Sequence, residues 1–407
     1  MTGTAPRRMH RVVIPMVALR LLGQASEFVG WVILARRLGT SDFGELSIAF
    51  LVCRYLGLIA DWGASIQGTR DVAAGSNDAS IRGLIRRRNI ATLALAAGYV
   101  AVVTAIGQPG LAPLAGCILA RGLGRDWMAL GRERGSRSGA PATTQGVLVM
   151  VGALLVSTLP AAAAMIGVAY CSAAVLSIAL NRLPPAKSGG HPAPVDPWFL
   201  IILFADQIYA SMDVVLLGAL QSTSVAGIYA AVYRFPNAWV TVIGLVITGL
   251  LPGITRALTS DPTRIAELRR RALRVGGGLA ALLILLIPVA WFLVPVVFGP
   301  AYEPGRVPLV LLLLATTATT LTVGLAPIYF AIGNERALAA WAVLVAVVNV
   351  VGNLLLIPHF SATGAASVTL ASQLLVSGFY LITTRRLARG GPGRSAALTP
   401  PPRPTDI

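Results

Sequence analysis

Arg20, Gln24 and Glu27 stand at i, i+4 and i+7 inside one apolar run, so a helix places all three on a single face. A later run carries Asp206, Gln207 and Asp213, and two others carry Arg54 with Asp61, and Arg234. A charged side chain at the centre of a membrane helix costs about 2.5 to 3.5 kcal/mol, so such groups face a wet cavity or a partner. The guanidinium groups of Arg20, Arg54 and Arg234 suit a phosphate or diphosphate, which they bind through paired donors. Gln24 and Gln207 add neutral polar groups to the same candidate cavity. The carboxylates Glu27, Asp61, Asp206 and Asp213 are candidates for a coupling proton or sodium ion. The competing reading is mutual neutralisation, Arg20 with Glu27 or Arg54 with Asp61, with Arg234 snorkelling towards the outer interface. No catalytic set, metal site or cofactor emerges. His10, His191 and His359 are isolated, and Cys53, Cys117 and Cys171 fall in apolar segments as packing residues.

The elements that position these residues are membrane helices. The chain is 56% hydrophobic and only 12% charged, with a mean hydropathy of +0.75. A soluble protein of 407 residues lacks the polar surface to cover that. The formal charge of +17 does not indicate nucleic acid, because the basic residues lie between apolar runs rather than on one exposed face. Windows long enough for a bilayer core of about 30 Å predict an all-α integral membrane fold of about twelve helices. In the first half they cover Val12–Ala35, Phe43–Ile66, Asn89–Ile106, Leu111–Leu130, Thr143–Pro160 and Ala161–Leu180. In the second they cover Trp198–Leu220, Val225–Leu251, Val275–Phe298, Val307–Ile332, Ala337–Ile357 and Ser361–Ile382. The basic start reads as part of an uncleaved first span, since no small-residue cleavage site follows.

Lys and Arg set the orientation. With a cytoplasmic N-terminus, 25 of the 33 fall in inside segments, and Arg36, Arg37 and Arg306 alone fall outside. Both termini are thus expected in the cytoplasm, in the inner (plasma) membrane. Sliding the chain by 183 residues lays Thr40 on Thr223, Ser41 on Ser224, Gly44 on Gly227, and Arg86, Arg87 and Arg88 on Arg269, Arg270 and Arg271. This predicts a parallel internal repeat of two six-helix lobes. The expected divisions are a cytoplasmic arm (1–11), an N-terminal lobe (12–181), a Pro/Gly-rich cytoplasmic linker (182–197), a C-terminal lobe (198–384) and a disordered cytoplasmic tail (385–407). The two arginine triplets are expected in the loop before the third span of each lobe. There they hold the loops inside, touch anionic headgroups, and form a basic cytoplasmic mouth for an anionic cargo. Arg121, Arg125 and Asp126 read as snorkelling or headgroup contacts at the end of the fourth span.

Particular stretches carry a family likeness. WVILARRLGTSDFGELSIAF followed by LIADWGAS resembles the first two helices of the polysaccharide-biosynthesis flippases of the multidrug/oligosaccharidyl-lipid/polysaccharide exporter superfamily. MDVVLLGALQSTSVAGIYAAVYRF, with Tyr229, Tyr233 and Arg234, resembles their seventh helix and the start of the eighth. NVVGNLLLIPHFSATGAASVTLASQ, with Asn349, Asn353, Pro358 and Gly364–Ala366, is similar to their last two helices, and VVFGPAYEPG and AIGNER match related loops. The resemblance implies that an undecaprenyl-diphosphate-linked oligosaccharide is flipped from the cytoplasmic to the outer leaflet by alternating access. Its implied partners are that polyprenyl-diphosphate-linked glycan, membrane lipids, and a polysaccharide polymerase and glycosyltransferases. Twelve spans rather than fourteen depart from the peptidoglycan-precursor branch.

A drug or cation antiporter of the same superfamily is the nearest alternative, though it favours carboxylates and aromatics over three deep arginines. A major-facilitator transporter shares the twelve-span repeat, but LIADWGASIQGTRD lacks that group's tight basic turn. A membrane glycosyltransferase needs a catalytic carboxylate or a large outer loop, and every expected outer loop is short. A structural scaffold has no use for so many inward charges.

Overall fold

In the computed structural model, which describes residues 5–73, 78–132, 134–182, 197–244, 264–330 and 335–389, all regular structure is helical. The expected linker at 183–196, the tail from 390 and the end of the eighth span lie outside the described residues. Helix α1 (Ala5–Asp61) holds the first two spans, broken at Gly39, whose φ of 75° and ψ of 177° only glycine adopts without strain. It is followed by α2 (Ala64–Ala73), α3 (Asp78–Ala105), α4 (Ala115–Leu123), α5 (Asp126–Gly131), α6 (Gly135–Ala153) and α7 (Leu159–Leu180). The second half contains α8 (Pro197–Leu220), α9 (Thr223–Val232), α10 over residues 234–244, α11 (Ile265–Phe298), α12 (Arg306–Thr322), α13 (Ala326–Phe330) and α14 (Glu335–Arg389). Like α1, α14 is a double span, broken at Ser361, where φ is 51°. Seven described stretches are long and apolar enough to cross a membrane, and dividing α1 and α14 at their breaks makes nine, with the shorter or more polar helices α4–α6, α9 and α10 beside them.

Several boundaries move from their expected places, each for a physical reason. The fifth span begins at Gly135 rather than Thr143, because the small polar stretch before it packs on the first span. The Thr143 hydroxyl donates to the Leu19 carbonyl (2.6 Å), and Gly139 lies against Leu19 and Met16. Tertiary contact there overrides weak helix propensity. The sixth span starts at Leu159, with Pro160 in the first turn, where its missing N–H costs nothing. The fourth span is discontinuous. Gly124 leaves the helix between α4 and α5, and its carbonyl accepts from Arg88 Nη1 (3.0 Å) and Trp127 Nε1 (3.2 Å). Arg88 Nη2 also donates to the Arg121 carbonyl. Interrupted helices persist at membrane depth when side chains satisfy the freed backbone in this way. The arginine triplets stand within α3 and α11 rather than in loops before them.

Two compact units result. The first comprises residues 1–200, 217–234 and 295–303, and the second comprises residues 201–216, 235–294 and 304–407. In the first unit, spans end in reciprocal carbonyl caps. Tyr302 Oη donates to the Ala35 carbonyl (2.8 Å), Arg36 to the Val296 carbonyl (2.6 Å), and Arg37 to the Val156 carbonyl (3.3 Å). Those of Ala35 and Val296 are last-turn carbonyls that a helix cannot satisfy internally, and that of Val156 lies in the connection between α6 and α7. In the second unit, the Trp239 indole donates to Thr320 (3.1 Å), and Thr322 meets Ser377 (3.2 Å). Small apolar faces of α8 and α14 pack there through Ala205, Ala342 and Ala346.

Candidate functional site

The first unit builds its polar site where α6 crosses the first span of α1 at very short range. A Cβ on Gly23 would press on the Ala142 carbonyl, and one on Gly146 would overlap the Gly23 carbonyl, so only glycine permits this approach. The crossing brings Gln145, next to Gly146, against Glu27. The Glu27 carboxylate accepts three neutral donors: Gln145 Nε2 at 3.1 Å, Tyr170 Oη at 2.9 Å and Trp31 Nε1 at 3.3 Å. None of the three donors is a cation, so these bonds are not salt bridges.

Trp31 lies at i+4 from Glu27, is 1% exposed, and is wedged edge-on against Phe43 and Phe50. While its N–H faces Glu27, its ring face carries the guanidinium of Arg234, whose Cζ sits 3.9 Å from the ring centroid. Cation–π contact is strongest on indole and in desolvated sites. Arg234 Nε is buried without a hydrogen-bond partner among the described residues. Glu27 and Arg54 are the charges that act on Arg234. Arg54 itself is exposed although it lies in the middle of a span, where a charged side chain is costly against lipid. One carboxylate and two guanidinium groups therefore leave this cluster net positive. Arg20, seven residues or about 10 Å along the same helix, donates to Ser138 Oγ (3.2 Å), and Gln24 between them is exposed.

Asp61 belongs elsewhere in the unit. It is 2% exposed and pairs with Arg88 Nε at 2.9 Å and Arg121 at 3.7 Å, while accepting from Ser65 Oγ at 2.6 Å. It thus pairs with Arg88, not with Arg54. Arg88 is 5% exposed, and it locks the break between α4 and α5, while Arg86 and Arg87 are exposed. Their counterparts in the second unit divide differently: Arg270 and Arg271 are exposed, and half-buried Arg269 reaches Thr384 Oγ1 (3.3 Å).

The second unit contains a different polar group. Asp213, 1% exposed on α8, accepts from the Val214 N–H (2.9 Å) and from Thr369 Oγ1 of α14 (3.2 Å). One turn from Thr369, Ser372 Oγ accepts from Asn349 Nδ2 (3.1 Å), and Asn349 Oδ1 accepts from Asn353 Nδ2 (3.1 Å). Asn353 Oδ1 is buried with no partner among the described residues. A carboxylate with amide and hydroxyl oxygens suits a small hard cation or a proton. Asp206, about two turns away, is exposed and accepts from Tyr209 Oη, while Gln207 bonds locally to Ser211 (2.8 Å).

The structure thus joins Glu27, Arg54 and Arg234 in one cluster, sets Arg20 and Gln24 along the same face, and places Asp61, Asp206 and Asp213 apart from it. Sequence reasoning overlooked Trp31, Gln145 and Tyr170. The available signal was Gln145, the one amide side chain in the apolar window Thr143–Pro160.

No family model matches the sequence, and no curated protein matches it. Solved structures do match its fold. An inward-facing multidrug resistance MATE family transporter of the MOP superfamily is 11% identical, with 95% of this chain and 98% of that chain covered and a TM-score of 0.63. The lipid II flippase MurJ, in an inward closed conformation, is 11% identical, with 92% and 89% covered and a TM-score of 0.65. An outward-facing MATE family transporter is 12% identical, with 98% and 99% covered and a TM-score of 0.58. The chain therefore shares the all-α fold of these membrane-transporter structures.

Proposed function

We propose that the chain is a translocase in the plasma membrane, with both termini cytoplasmic. It flips a polyprenyl-diphosphate-linked oligosaccharide, of the undecaprenyl type, to the outer leaflet by alternating access in cell-surface polysaccharide biosynthesis. One observation carries this reading: Arg234 is held over Trp31 beside Arg54 in a cluster of net positive charge inside the membrane. A diphosphate supplies the acceptor that Arg234 Nε lacks, and its two phosphates engage both guanidinium groups. Arg20 and Gln24 extend the polar face along which a glycan passes. The fold shared with a lipid II flippase supports a lipid-linked cargo. A polymerase and glycosyltransferases are the matching partners, because they consume and supply such a cargo. The carboxylates Asp213 and Glu27 are our candidates for coupling to a sodium or proton gradient, with Asn349, Asn353 and Thr369 completing the first of these.

The test is reconstitution into liposomes loaded with a fluorescent polyprenyl-diphosphate sugar, with leaflet exposure read by a membrane-impermeant quencher. Flipping that is lost in Arg234→Ala and Arg54→Ala is the expected result. Export of small organic cations with no change in sugar exposure sinks the proposal. That outcome favours the second reading, a drug or cation antiporter, which the exposed Asp206 beside Tyr209 and the fold shared with multidrug transporters support.

A further inference from the structure

The bonds that hold the break in the fourth span also fix the two arginines on either side of it. The carbonyl of Arg121, in the last turn of α4, accepts from Arg88 Nη2, and the N–H of Arg125, just before α5, donates to Ser177 Oγ at 2.7 Å. Both backbones are therefore held, while both guanidinium groups are left over. Arg121 is the looser partner of Asp61. It stands 3.7 Å from Oδ2 with 57% of its side chain exposed, whereas Arg88 and Ser65 meet Oδ1 at 2.9 and 2.6 Å. An exposed cation at that distance is bound weakly and can be recruited by another anion. Arg125 Nε is buried and has no hydrogen-bond partner among the described residues. Asp61, Arg121, Asp126 and Arg125 are the charges that act on Arg88, so three guanidinium groups share two carboxylates and the cluster is net positive.

The cluster stands where membrane gives way to water. The second span ends at Asp61, and the next residue, Trp62, is 56% exposed in a left-handed turn with φ at 42°. Tryptophan concentrates at the headgroup boundary. On the membrane side of that level the stem of Arg121 lies along the second span at Gly57, where a Cβ would meet its Cβ and Cγ at 3.0 and 3.2 Å. Its neighbour Gly122 receives Thr92 of α3 so closely that a Cβ would overlap the threonine hydroxyl. Beside Thr92, Ile90 and Leu93 present exposed apolar surface, and Arg86 and Arg87 are exposed about one turn closer to the water. Charge and apolar surface thus lie together in the order that a phospholipid presents its phosphate and its acyl chains. A phosphodiester has two free oxygens, one for each guanidinium. The surplus positive charge selects an anionic headgroup over a zwitterionic one.

We propose that Arg121 and Arg125 form a binding site for the phosphate of one anionic phospholipid, which closes the break in the fourth span from the membrane side. In the orientation proposed above that lipid belongs to the cytoplasmic leaflet, and the site is independent of the cargo. The test compares the full chain in nanodiscs of phosphatidylcholine alone and of phosphatidylcholine mixed with phosphatidylglycerol. Phosphatidylglycerol is expected to raise the midpoint of thermal unfolding by several degrees, and native mass spectrometry of the released protein to find one phosphatidylglycerol retained. Arg121→Gln with Arg125→Gln is expected to abolish both effects. Arg270→Gln with Arg271→Gln, which removes the same charge from exposed positions of α11, is expected to keep them. Equal losses in the two double variants indicate a general charge effect and overturn the site, as does a shift that Arg121→Gln with Arg125→Gln leaves unchanged. An equal shift from inorganic phosphate in phosphatidylcholine nanodiscs, lost in that same variant, assigns the site to a free anion and overturns the lipid. In the unmodified protein, no retained lipid and no shift also overturn it, a result that no folding defect of a variant can confound. None of these measurements involves transport, so this site and the proposed translocation of a sugar lipid fail separately.

Discussion

The polar clusters of the two units invert each other's chemistry. In the first, a carboxylate satisfied by neutral donors leaves Arg54 and Arg234 as surplus positive charge. In the second, Asp213 accepts from Thr369, and one turn along α14 from Thr369 begins a hydrogen-bonded chain of Ser372, Asn349 and Asn353. The scaffold beneath them is nonetheless repeated closely enough that Thr40 and Ser41 bond the counterparts of each other. Residues 183 apart in the sequence thus meet in one helix crossing of the first unit, while the polar clusters of the two units differ in chemistry.

Arg88 and Arg271 give the comparison its largest expected effect. They are equivalent by the repeat, yet Arg88 is buried on Asp61 and on two freed carbonyls, whereas Arg271 is exposed. Removing one partner of a buried pair costs about 3 to 5 kcal/mol because the other charge is stranded. Arg88→Ala is therefore expected to lower the midpoint of thermal unfolding in detergent sharply, and Arg271→Ala to leave it within the scatter of surface substitutions. Equal shifts from both would dissolve the asymmetry between the units.

The opposed chemistries predict separable losses of function. Arg234→Ala removes charge-assisted contacts of about 1.5 to 3 kcal/mol, roughly a 10- to 100-fold loss of apparent affinity for a polyprenyl-diphosphate sugar. Asp213→Asn is expected to leave that affinity alone and abolish the dependence of flipping on an imposed sodium or proton gradient. Titrating cargo and gradient independently in liposomes checks both. A gradient defect in Arg234→Ala, or an affinity defect in Asp213→Asn, shows that the division of labour is wrong.

A smaller effect sharpens the account of Glu27. Tyr170→Phe deletes one of its three donors, a change of about 0.5 to 1.5 kcal/mol. Flipping should fall only a few-fold, and Gln145→Leu combined with it should cost more than the sum of the two. Strict additivity would mean that the donors do not hold Glu27 jointly.

The helical membrane fold was legible in the sequence because bilayer thickness imposes a length and an apolar composition that survive without any alignment. The breaks were less so. Gly39 and Ser361 fall where the apolar windows divide, but the interruption at Gly124 lies inside a single window, between Arg121 and Arg125. What permits it is Arg88, 36 residues away, and no local pattern encodes that bond. Glu27 and Arg234 stood out because charge in an apolar run is rare. Trp31, which joins them, did not, since one tryptophan among hydrophobic neighbours looks like ordinary packing until its two faces are seen in use. The spacing of Arg54 and Asp61 on one helix suggested a pair, but a seven-residue rise separates them by about 10 Å along the axis, and Arg88 approaches Asp61 from the side.

Arg36 and Arg37 stand among the few basic residues expected on the far side of the membrane, and each is bonded to a backbone carbonyl, Arg37 to one 119 residues later and Arg36 to one 260 residues later. With the N-terminus cytoplasmic, as the charge distribution predicts, the first helical hairpin must insert before either acceptor has been synthesised. At roughly 5 to 20 residues per second, Arg36 waits on the order of 13 to 50 s for Val296. In that orientation the nascent chain would present both charges at the trans face of its first hairpin, Arg37 until Val156 emerges and Arg36 until the second half does, with water or lipid headgroups standing in for the two carbonyls.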